Sequence, residues 1–311
     1  MDQACFIQTI RISLALRNSL IVITGPTASG KTDLAIQVAQ KLGTEIISAD
    51  SRQVYKGLEI GSAYPTTKQL EAVKHHFIGE LELDNFFSAG EFAIQARIRL
   101  SELFKTKERV VVVGGSGLYI KALIEGMDDL PLVPVGVREA LNRDLNEVGI
   151  AALLEELRKV DPDYFEKVDR HNPQRIIRAL EIFRATGRPL SSFRQGKKTP
   201  QVPYQLVALD WSRDALYSRI NERTDQMMAN GFLEEVARLN KYRHHNALNT
   251  VGYKELFMHM DNQMDLEVAV GNIKQHTRNF AKRQLTYLRH QLEPIWIKGG
   301  EKAFATIESM L

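Results

Sequence analysis

Short apolar segments rich in β-branched residues alternate along the chain with segments of helical periodicity. Such apolar segments are typical of buried parallel strands. The predicted strands are Ser19–Thr24, Thr44–Ser48, Arg109–Val113, Gln205–Leu209 and Pro294–Ile297. Strands that alternate with helices predict an α/β fold, in which a mostly parallel sheet is covered by helices.

The middle of the chain has a different pattern. Residues 130–198 show helical periodicity and contain no convincing strand. We therefore predict a helical domain inserted into an α/β core that comprises residues 19–129 and 199–311 and includes C-terminal helices. Residues 1–18 are expected to form an extension ahead of the first strand.

Composition limits the class of protein only broadly. The chain has 311 residues, a net charge of +3, 44% hydrophobic residues and 25% charged residues. This balance is typical of a folded globular protein, and the charge is too small to indicate nucleic-acid binding by itself. Cys5 is the single cysteine, so no disulfide framework is possible within one chain. Because no run of about 18 apolar residues or clear signal peptide is present, we expect a cytoplasmic protein without a membrane span.

The segment that follows the first predicted strand matches the phosphate-binding pattern G-x-x-x-x-G-K-[ST] at every fixed position. It also opens a helical segment, predicted over residues 32–42 and ended by Gly43, which is the context that phosphate binding requires. Lys31 supplies a positive charge, and the Thr32 hydroxyl is placed to hold Mg²⁺. The predicted phosphate-binding residues are Gly25, Pro26, Thr27, Ala28, Ser29, Gly30, Lys31 and Thr32.

A phosphate-binding loop (P-loop) does not by itself indicate ATP. Nucleotide hydrolases and kinases of this class usually carry an aspartate after a later strand, the Walker B acid, which holds the metal ion. Here the best candidate strand is followed by Gly114 and Gly115. This absence argues against a plain nucleotide hydrolase and favours a loop that holds another phosphate ester. A P-loop small-molecule kinase stays open as the alternative.

Asp50 directly follows the second predicted strand. Since the carboxyl ends of parallel strands border one crevice, Asp50 should face the phosphates bound by the P-loop. Its carboxylate could support a metal ion, act as a general base toward a second substrate, or simply cap a turn. The neighbouring polar residues Ser51, Arg52 and Gln53 favour a functional role.

Taken together, these segments and several others resemble the tRNA dimethylallyltransferase (isopentenyl-tRNA transferase) family in its bacterial form. The resemblance is carried by Gly25–Thr32, Ile47–Gly57, Val113–Tyr119, Asn172–Arg178, Met228–Phe232, Thr250–Glu255 and Thr277–Leu285. Because these segments occur in order over nearly all of residues 20–289, the joint match is far more specific than any single motif.

The resemblance implies transfer of a dimethylallyl group from its diphosphate to the N6 amine of the adenosine 3′ of the anticodon. The P-loop would then hold the donor diphosphate, which accounts for the missing Walker B acid. The implied catalytic residues are Asp50 as general base, and Arg223, Lys31 and Thr32 with Mg²⁺ as the groups that neutralise the leaving diphosphate. This agrees with the chemistry, because a diphosphate must be neutralised as it departs and an adenine amine is a weak nucleophile.

The expected partners are dimethylallyl diphosphate and the tRNA anticodon stem-loop, bound by a monomer. Arginines concentrate between Arg170 and Arg188, and Gln174 and Arg178 share one helix face. Lys274, Arg278 and Lys282 form a second stripe, although a solvated helix face is the alternative for each group. The predicted tRNA-contacting residues are Asp50, Ser51, Arg52, Gln53, Ser116, Arg138, Gln174, Arg175, Ile176, Ile177, Arg178, Asn249, Thr250, Val251, Gly252, Tyr253 and Lys254.

Three positions depart from the pattern of the family. Tyr64 replaces a lysine that is usual there, Asn249 is arginine in some relatives, and Ser116 stands where threonine is more frequent. The first two substitutions could shift RNA contacts without altering the chemistry. A non-catalytic RNA-binding protein with a vestigial P-loop is a further alternative.

Overall fold

The structure is a computed structural model, and it describes residues 18–194, 196 and 199–311. The chain divides into two compact units. The first contains the described residues up to Gly126 together with Pro200–Leu311, and the second is Met127–Thr199. The predicted insertion at 130–198 falls within the second unit, whereas the predicted N-terminal extension lies, apart from Asn18, outside the described residues.

One sheet of six parallel strands organises the described part of the first unit, in the order β3-β2-β4-β1-β5-β6. The strands are β1 (Ser19–Thr24), β2 (Ile46–Ser48), β3 (His75–His76), β4 (Arg109–Val113), β5 (Tyr204–Asp210) and β6 (Ile295–Lys298). The predicted mostly parallel α/β fold is therefore confirmed. Among the six described strands, β3 alone was not predicted, because two histidines carry no apolar signal. Strand β1 lies between β4 and β5 and is buried along its whole length.

Helices of this unit before the second unit are α1 (Lys31–Leu42), α2 (Thr67–Ala72), α3 (Ala89–Leu103) and α4 (Gly117–Glu125). Helix α1 begins within the P-loop and ends before Gly43, one residue longer than predicted at its start. Its apolar side packs on the sheet with residues of β1, β4 and β5. This packing fixes the amino end of α1 at the carboxyl end of β1, which is where a P-loop must lie.

The second unit has its own hydrophobic core and, in its described residues, no strand. Its elements are α5 (Val135–Glu147), α6 (Gly149–Val160), α7 (Pro162–Phe165), α8 (Pro173–Thr186) and the 3₁₀ turn Leu190–Phe193. Leu141, Leu157 and Leu180 are fully buried between these helices. The helical periodicity in the sequence arises from this core.

The chain then returns to the first unit. Its remaining helices are α9 (Arg213–Ala229), α10 (Phe232–Arg238), α11 (Tyr253–Met260), α12 (Leu266–Gln291) and α13 (Ala303–Glu308), with 3₁₀ turns at Asn240–Tyr242 and Asn246–Leu248. The long helix α12 packs against both α9 and α11. Among the described helices, none combines the length and apolar character needed to cross a bilayer.

Candidate active site

A cavity of about 240 Å³ lies within the first unit, at the carboxyl ends of β1, β2 and β4. The P-loop, Gly25–Thr32, forms one wall, and the turn Asp50–Gln53 forms another. The remaining walls are Gly61–Ala63, Val113–Ser116, Thr250–Gly252 and residues of α9 and α12. The three strands are neighbours in the sheet, so the loops that follow them meet although they are distant in sequence.

The P-loop backbone is held from outside. Arg219 Nε donates to the Ala28 carbonyl at 2.8 Å, and Trp211 Nε1 donates to the Ser29 carbonyl at 3.0 Å. Ala28 and Gly30 have left-handed backbone conformations, with φ values of 62° and 87°, and at Gly30 the lack of a side chain permits this without strain. With these carbonyls bound on the outside, the first turn of α1 keeps its N–H groups available for an anion.

Lys31 lies within this loop and faces the cavity. Its Nζ donates to the Pro26 carbonyl at 2.6 Å. Burial and, after it, the positive charge of Arg223 lower the pKa of Lys31 to about 7, whereas the Asp50 carboxylate opposes the shift. At pH values near 7 the side chain is therefore divided between its neutral and cationic forms, and a bound anion would favour the cationic form.

Arg223 of α9 reaches the same cavity and donates from Nη1 to Thr27 Oγ1 at 3.3 Å. Burial lowers the pKa of Arg223, and Asp50 opposes that shift. Glu222 instead accepts a hydrogen bond from Ser218 Oγ at 2.6 Å. Arg223 therefore belongs to the cavity wall and does not pair with its neighbour Glu222.

Asp50 lines the cavity together with Lys31, and it also caps the turn that follows β2. Its Oδ1 accepts hydrogen bonds from the N–H groups of Arg52 and Gln53 at 2.9 and 3.3 Å. The turn-capping interpretation of Asp50 is therefore correct, and its roles as metal support or general base stay predictions. Because the turn uses Oδ1, the carboxylate has its second oxygen to offer to a substrate.

Two glycines after β4 explain why no acid stands there. A Cβ atom on Gly114 would lie 2.1 Å from the Ala49 carbonyl oxygen, and one on Gly115 would lie 2.4 Å from Gln284 Nε2. The loop therefore packs directly against the residue before Asp50. A Walker B carboxylate does not fit at this position.

Gln284 of α12 is a site residue to which sequence analysis gave no role, although its segment formed part of the resemblance. Its Oε1 accepts a hydrogen bond from the Thr27 N–H at 2.8 Å, and its Nε2 donates to the Gly115 carbonyl at 2.9 Å. Next to Gly115, Ser116 Oγ accepts from the Ser51 N–H at 3.1 Å. Gln284 and Ser116 thus tie the P-loop and the Asp50 turn to the loop after β4.

The predicted phosphate-binding residues divide into two groups. Thr27, Ala28, Lys31 and Thr32 border the cavity. The others lie in the loop away from that surface: Gly25, Pro26, Ser29 and Gly30. The hydroxyl of Ser29 is buried and has no hydrogen-bond partner among the described residues.

Three residues predicted to contact tRNA have side chains that face inward. Ile176 and Ile177 are 0% exposed in the core of the second unit, because they occupy the apolar face of α8. Tyr253 is also 0% exposed, and its hydroxyl donates to Glu235 at 2.7 Å. These side chains therefore contribute packing, and the prediction that they contact RNA is wrong for this conformation.

The other predicted RNA contacts are accessible or border the cavity, and they stay predictions. The cavity brings together Asp50, Ser51, Arg52, Gln53, Ser116, Thr250, Val251 and Gly252. Asn249 and Lys254 are exposed beside Thr250–Gly252. Arg52 is already held, because its Nη1 donates to the Asn246 carbonyl at 2.9 Å.

The basic cluster of the second unit is partly paired. Arg138 donates to Gln174 Oε1 at 2.9 Å, and both Arg138 and Arg178 contact the buried carboxylate of Glu181. Gln174 and Arg175 are exposed on the same helix. The cluster is therefore pre-arranged on the surface of its own unit.

The stripe on α12 also serves packing. Lys274 forms an ion pair with Asp225 at 2.6 Å, and Arg278 donates to Asn221 at 2.8 Å, so both side chains hold α12 against α9. These two residues are therefore not part of a purely solvated helix face.

Tyr64 lines a second, wider cavity of about 810 Å³ that also reaches Lys31, Thr32 and Arg223 but not Asp50. Its hydroxyl donates to the Tyr55 carbonyl, and burial raises its pKa. A hydrogen bond thus fixes this tyrosine, which the sequence comparison marked as a departure from the expected pattern. Lys31, Thr32 and Arg223 thus border both cavities, and of these two only the smaller one is lined by Asp50.

Fold and site together define a P-loop α/β protein in which glycines follow β4 in place of a Walker B acid. Residues 53–291 match the family described as IPP transferase, and the chain belongs to that family.

Relatives at high coverage agree with this assignment. The chain is 47% identical over 301 residues to the tRNA dimethylallyltransferase of Christiangramia forsetii, covering 95% of this chain and 99% of that protein. It is 46% identical over 286 residues to tRNA dimethylallyltransferase 2 of Parabacteroides distasonis, covering 91% and 95%. The crystal structure of the tRNA isopentenylpyrophosphate transferase from Bacillus halodurans is similar with a TM-score of 0.70 and 32% identity over 94% of both chains.

Proposed function

We propose that this chain transfers a dimethylallyl group from dimethylallyl diphosphate to the N6 amine of the adenosine 3′ of the anticodon in tRNA, with release of diphosphate. The observation that carries the proposal is one cavity in which the cations Lys31 and Arg223 stand together with the carboxylate of Asp50. Allylic transfer to an amine needs these two functions at close range. The names of the relatives given above support the same reaction.

The donor diphosphate would lie against the P-loop. Lys31, Arg223 and the N–H groups at the start of α1 neutralise the charge that grows on the leaving oxygen as the C–O bond of the donor breaks. The buried hydroxyl of Ser29 adds an unused polar group to the same loop. The bonding electron pair leaves with diphosphate, and the allylic carbon is captured by the amine.

The residues also fit Mg²⁺ bound together with a diphosphate. In such sites the ion is commonly held by one or two protein oxygens, by phosphate oxygens and by water. The Thr32 hydroxyl borders the cavity, and the described residues contain no cluster of three His, Cys, Asp or Glu side chains that would form a separate cage. When bound, the ion would offset negative charge on the diphosphate, and Thr32 would be its protein ligand.

Asp50 would act on the acceptor. The N6 lone pair is delocalised into the adenine ring, so the amine becomes a better nucleophile as its proton is removed. With Oδ1 committed to the turn, the second oxygen is the atom to receive this proton. The new N–C bond forms as that proton passes to the carboxylate.

The size of the cavity restricts the acceptor. A cavity of about 240 Å³ suits a single base together with a small prenyl group. An adenosine must therefore leave its stack to react, which favours a single-stranded loop as substrate. The donor would enter through the wider cavity beside Tyr64 and place its diphosphate against the P-loop. The RNA would then approach from the side of Asp50.

The kinase alternative is not favoured, because the packing of Gly114 on Ala49 leaves no room for a Walker B acid. We also propose that one chain suffices, since each catalytic group comes from the same unit of one chain. Because tRNA is the acceptor, the reaction belongs to the cytoplasm.

The test is incubation of the purified protein with Mg²⁺, dimethylallyl diphosphate and unmodified tRNA, followed by mass spectrometry of the nucleosides. We expect one modified adenosine, located 3′ of the anticodon, and no product with ATP in place of the prenyl donor. An unmodified tRNA pool with this donor, under conditions in which the protein is folded and binds the RNA, would overturn the proposal.

A further inference from the structure

A buried carboxylate outside the cavity is not used by the chemistry described so far. Glu235 of α10 is 1% exposed. Its two oxygens accept three hydrogen bonds, from the N–H of Ile60 at 2.7 Å, the N–H of Gly61 at 2.9 Å and the hydroxyl of Tyr253 at 2.7 Å. A carboxylate is costly to bury unless such donors compensate it, so this arrangement is a built feature of the fold.

The three donors belong to, or directly adjoin, two separate walls of the cavity. Ile60 and Gly61 lead directly into the wall Gly61–Ala63, and Tyr253 directly follows the wall Thr250–Gly252. Glu235 therefore joins both walls from behind. It has no contact with the cavity itself in the described structure.

The two walls pack closely on each other at Gly61 and Tyr253, and Gly252 packs closely on Phe232 of α10. A Cβ atom on Gly61 would lie 2.3 Å from the Tyr253 hydroxyl oxygen, and one on Gly252 would lie 2.8 Å from the ring of Phe232. Because the packing is this close, a shift of the Glu235 contacts must move backbone that borders the cavity.

The wall Gly61–Ala63 is connected in turn to Asp50. Gln53 Nε2 donates to the carbonyls of Ser62 and Ala63 at 3.2 and 2.9 Å. The N–H of Gln53 donates to Asp50 Oδ1 at 3.3 Å. A continuous series of hydrogen bonds thus runs from Glu235 through the wall and Gln53 to the proposed general base.

We propose that Glu235 is a positioning residue of this active site, which holds the two cavity walls together and, through Gln53, orients the carboxylate of Asp50. The proposal rests on the proposed function for its kinetic consequences. Its structural part, the fixing of Ile60 and Gly61, does not depend on that function.

The main variant is Glu235→Gln, which keeps the size of the side chain but replaces one acceptor oxygen by an amide donor that faces other donors. We expect kcat to fall roughly 10- to 100-fold, because a small misplacement of a catalytic group has an effect of this order, while the KM for either substrate changes less than about threefold. The exposed neighbour in Glu234→Gln is the matched control and should retain the original kcat. A Glu235→Gln protein with unchanged kcat would overturn the proposal.

Two further measurements separate positioning from general stability. Amide hydrogen exchange should be faster at Ile60 and Gly61 in Glu235→Gln than in Glu234→Gln, and equal exchange would overturn the proposal. In a Gln53→Ala background, the loss caused by Glu235→Gln should be smaller than in the original protein, since both changes interrupt one series of contacts. If the fold-losses in kcat of the two single variants simply multiply in the double variant, the connection to Asp50 is refuted.

Should Glu235→Gln fail to fold, Glu235→Asp decides, because it keeps the charge but is too short for all three contacts. We expect the kcat of Glu235→Asp to be measurable but lower than that of the original protein. A kcat equal to that of the original protein would overturn the proposal. If the unaltered protein transfers no prenyl group, the proposed function fails instead, and the exchange measurement still reports on Glu235.

Discussion

The state of Lys31 gives a sharp prediction for diphosphate binding. In the ligand-free protein the pKa of Lys31 is about 7, mainly through burial and then through Arg223. At pH 8, roughly nine in ten of these side chains are therefore neutral, and binding of a diphosphate should restore the proton. We expect an uptake of roughly 0.9 proton per diphosphate from this residue at pH 8 and about 0.1 at pH 6.

The sign follows from the direction of the shift. A lysine is cationic below its pKa, so the contribution of Lys31 to diphosphate affinity is greatest below pH 7 and decreases by up to about tenfold, or 1.4 kcal/mol, for each pH unit above it. For the free protein the effect on stability is opposite. The unfolded chain holds this proton up to its ordinary pKa of 10.5, so the contribution of Lys31 to folding becomes more favourable as pH rises from about 7 toward 10.5.

Isothermal titration calorimetry in buffers of different ionisation enthalpy measures this uptake directly. Lys31→Arg is the control, because arginine keeps its charge at pH 8 and contributes no uptake while retaining a cation in the loop. Equal proton uptake by the original protein and by Lys31→Arg at pH 8 would refute the reasoning that burial holds Lys31 near neutrality.

Three further outcomes are expected. Asp50→Asn, which keeps an oxygen for the turn, should lower kcat on the order of 10²-fold in a prenylation assay while tRNA affinity in a gel-shift assay stays within a few-fold, and an unimpaired kcat would remove the general-base role. Gly114→Ala places a methyl group 2.1 Å from the Ala49 carbonyl, so we expect a loss of about 1–3 kcal/mol in urea unfolding together with lower activity, and wild-type values for both would contradict the packing argument. Ile176→Ala should destabilise the protein by about 2–5 kcal/mol, whereas Gln174→Ala should weaken tRNA binding without a change in melting temperature, and the reverse pattern would refute the assignment of inner and outer faces to α8.

Much of the core could be predicted because its signals are local. The P-loop follows an apolar strand and opens a helix, and Asp50 follows the next strand, so the parallel-sheet rule was enough to bring the two together. The missed strand, His75–His76, is formed by two residues that pair with β2 and has no periodicity of its own. Its existence depends on its neighbour in the sheet and not on its sequence.

The supporting contacts could not be predicted, because they join distant segments. Nothing near Gln284 in the sequence indicates that it accepts a hydrogen bond from Thr27. Likewise, nothing near Glu235 indicates that it accepts one from the Ile60 N–H. The wrong RNA contacts have a related cause. Ile176, Ile177 and Tyr253 lie within motifs that include exposed residues, and a motif does not show which of its side chains the fold turns inward.

The distance in sequence between Thr27 and Gln284 has a consequence for the synthesis of the protein. A nascent chain emerges from its amino end, so the P-loop appears before the distant segments that support it. Trp211, Arg219 and Arg223 follow only after the second unit has been translated, and α12 comes later still. A nascent chain that ends before α12 would therefore contain the complete phosphate-binding motif but not the complete cavity. We accordingly expect a fragment chosen by that motif alone to have no activity.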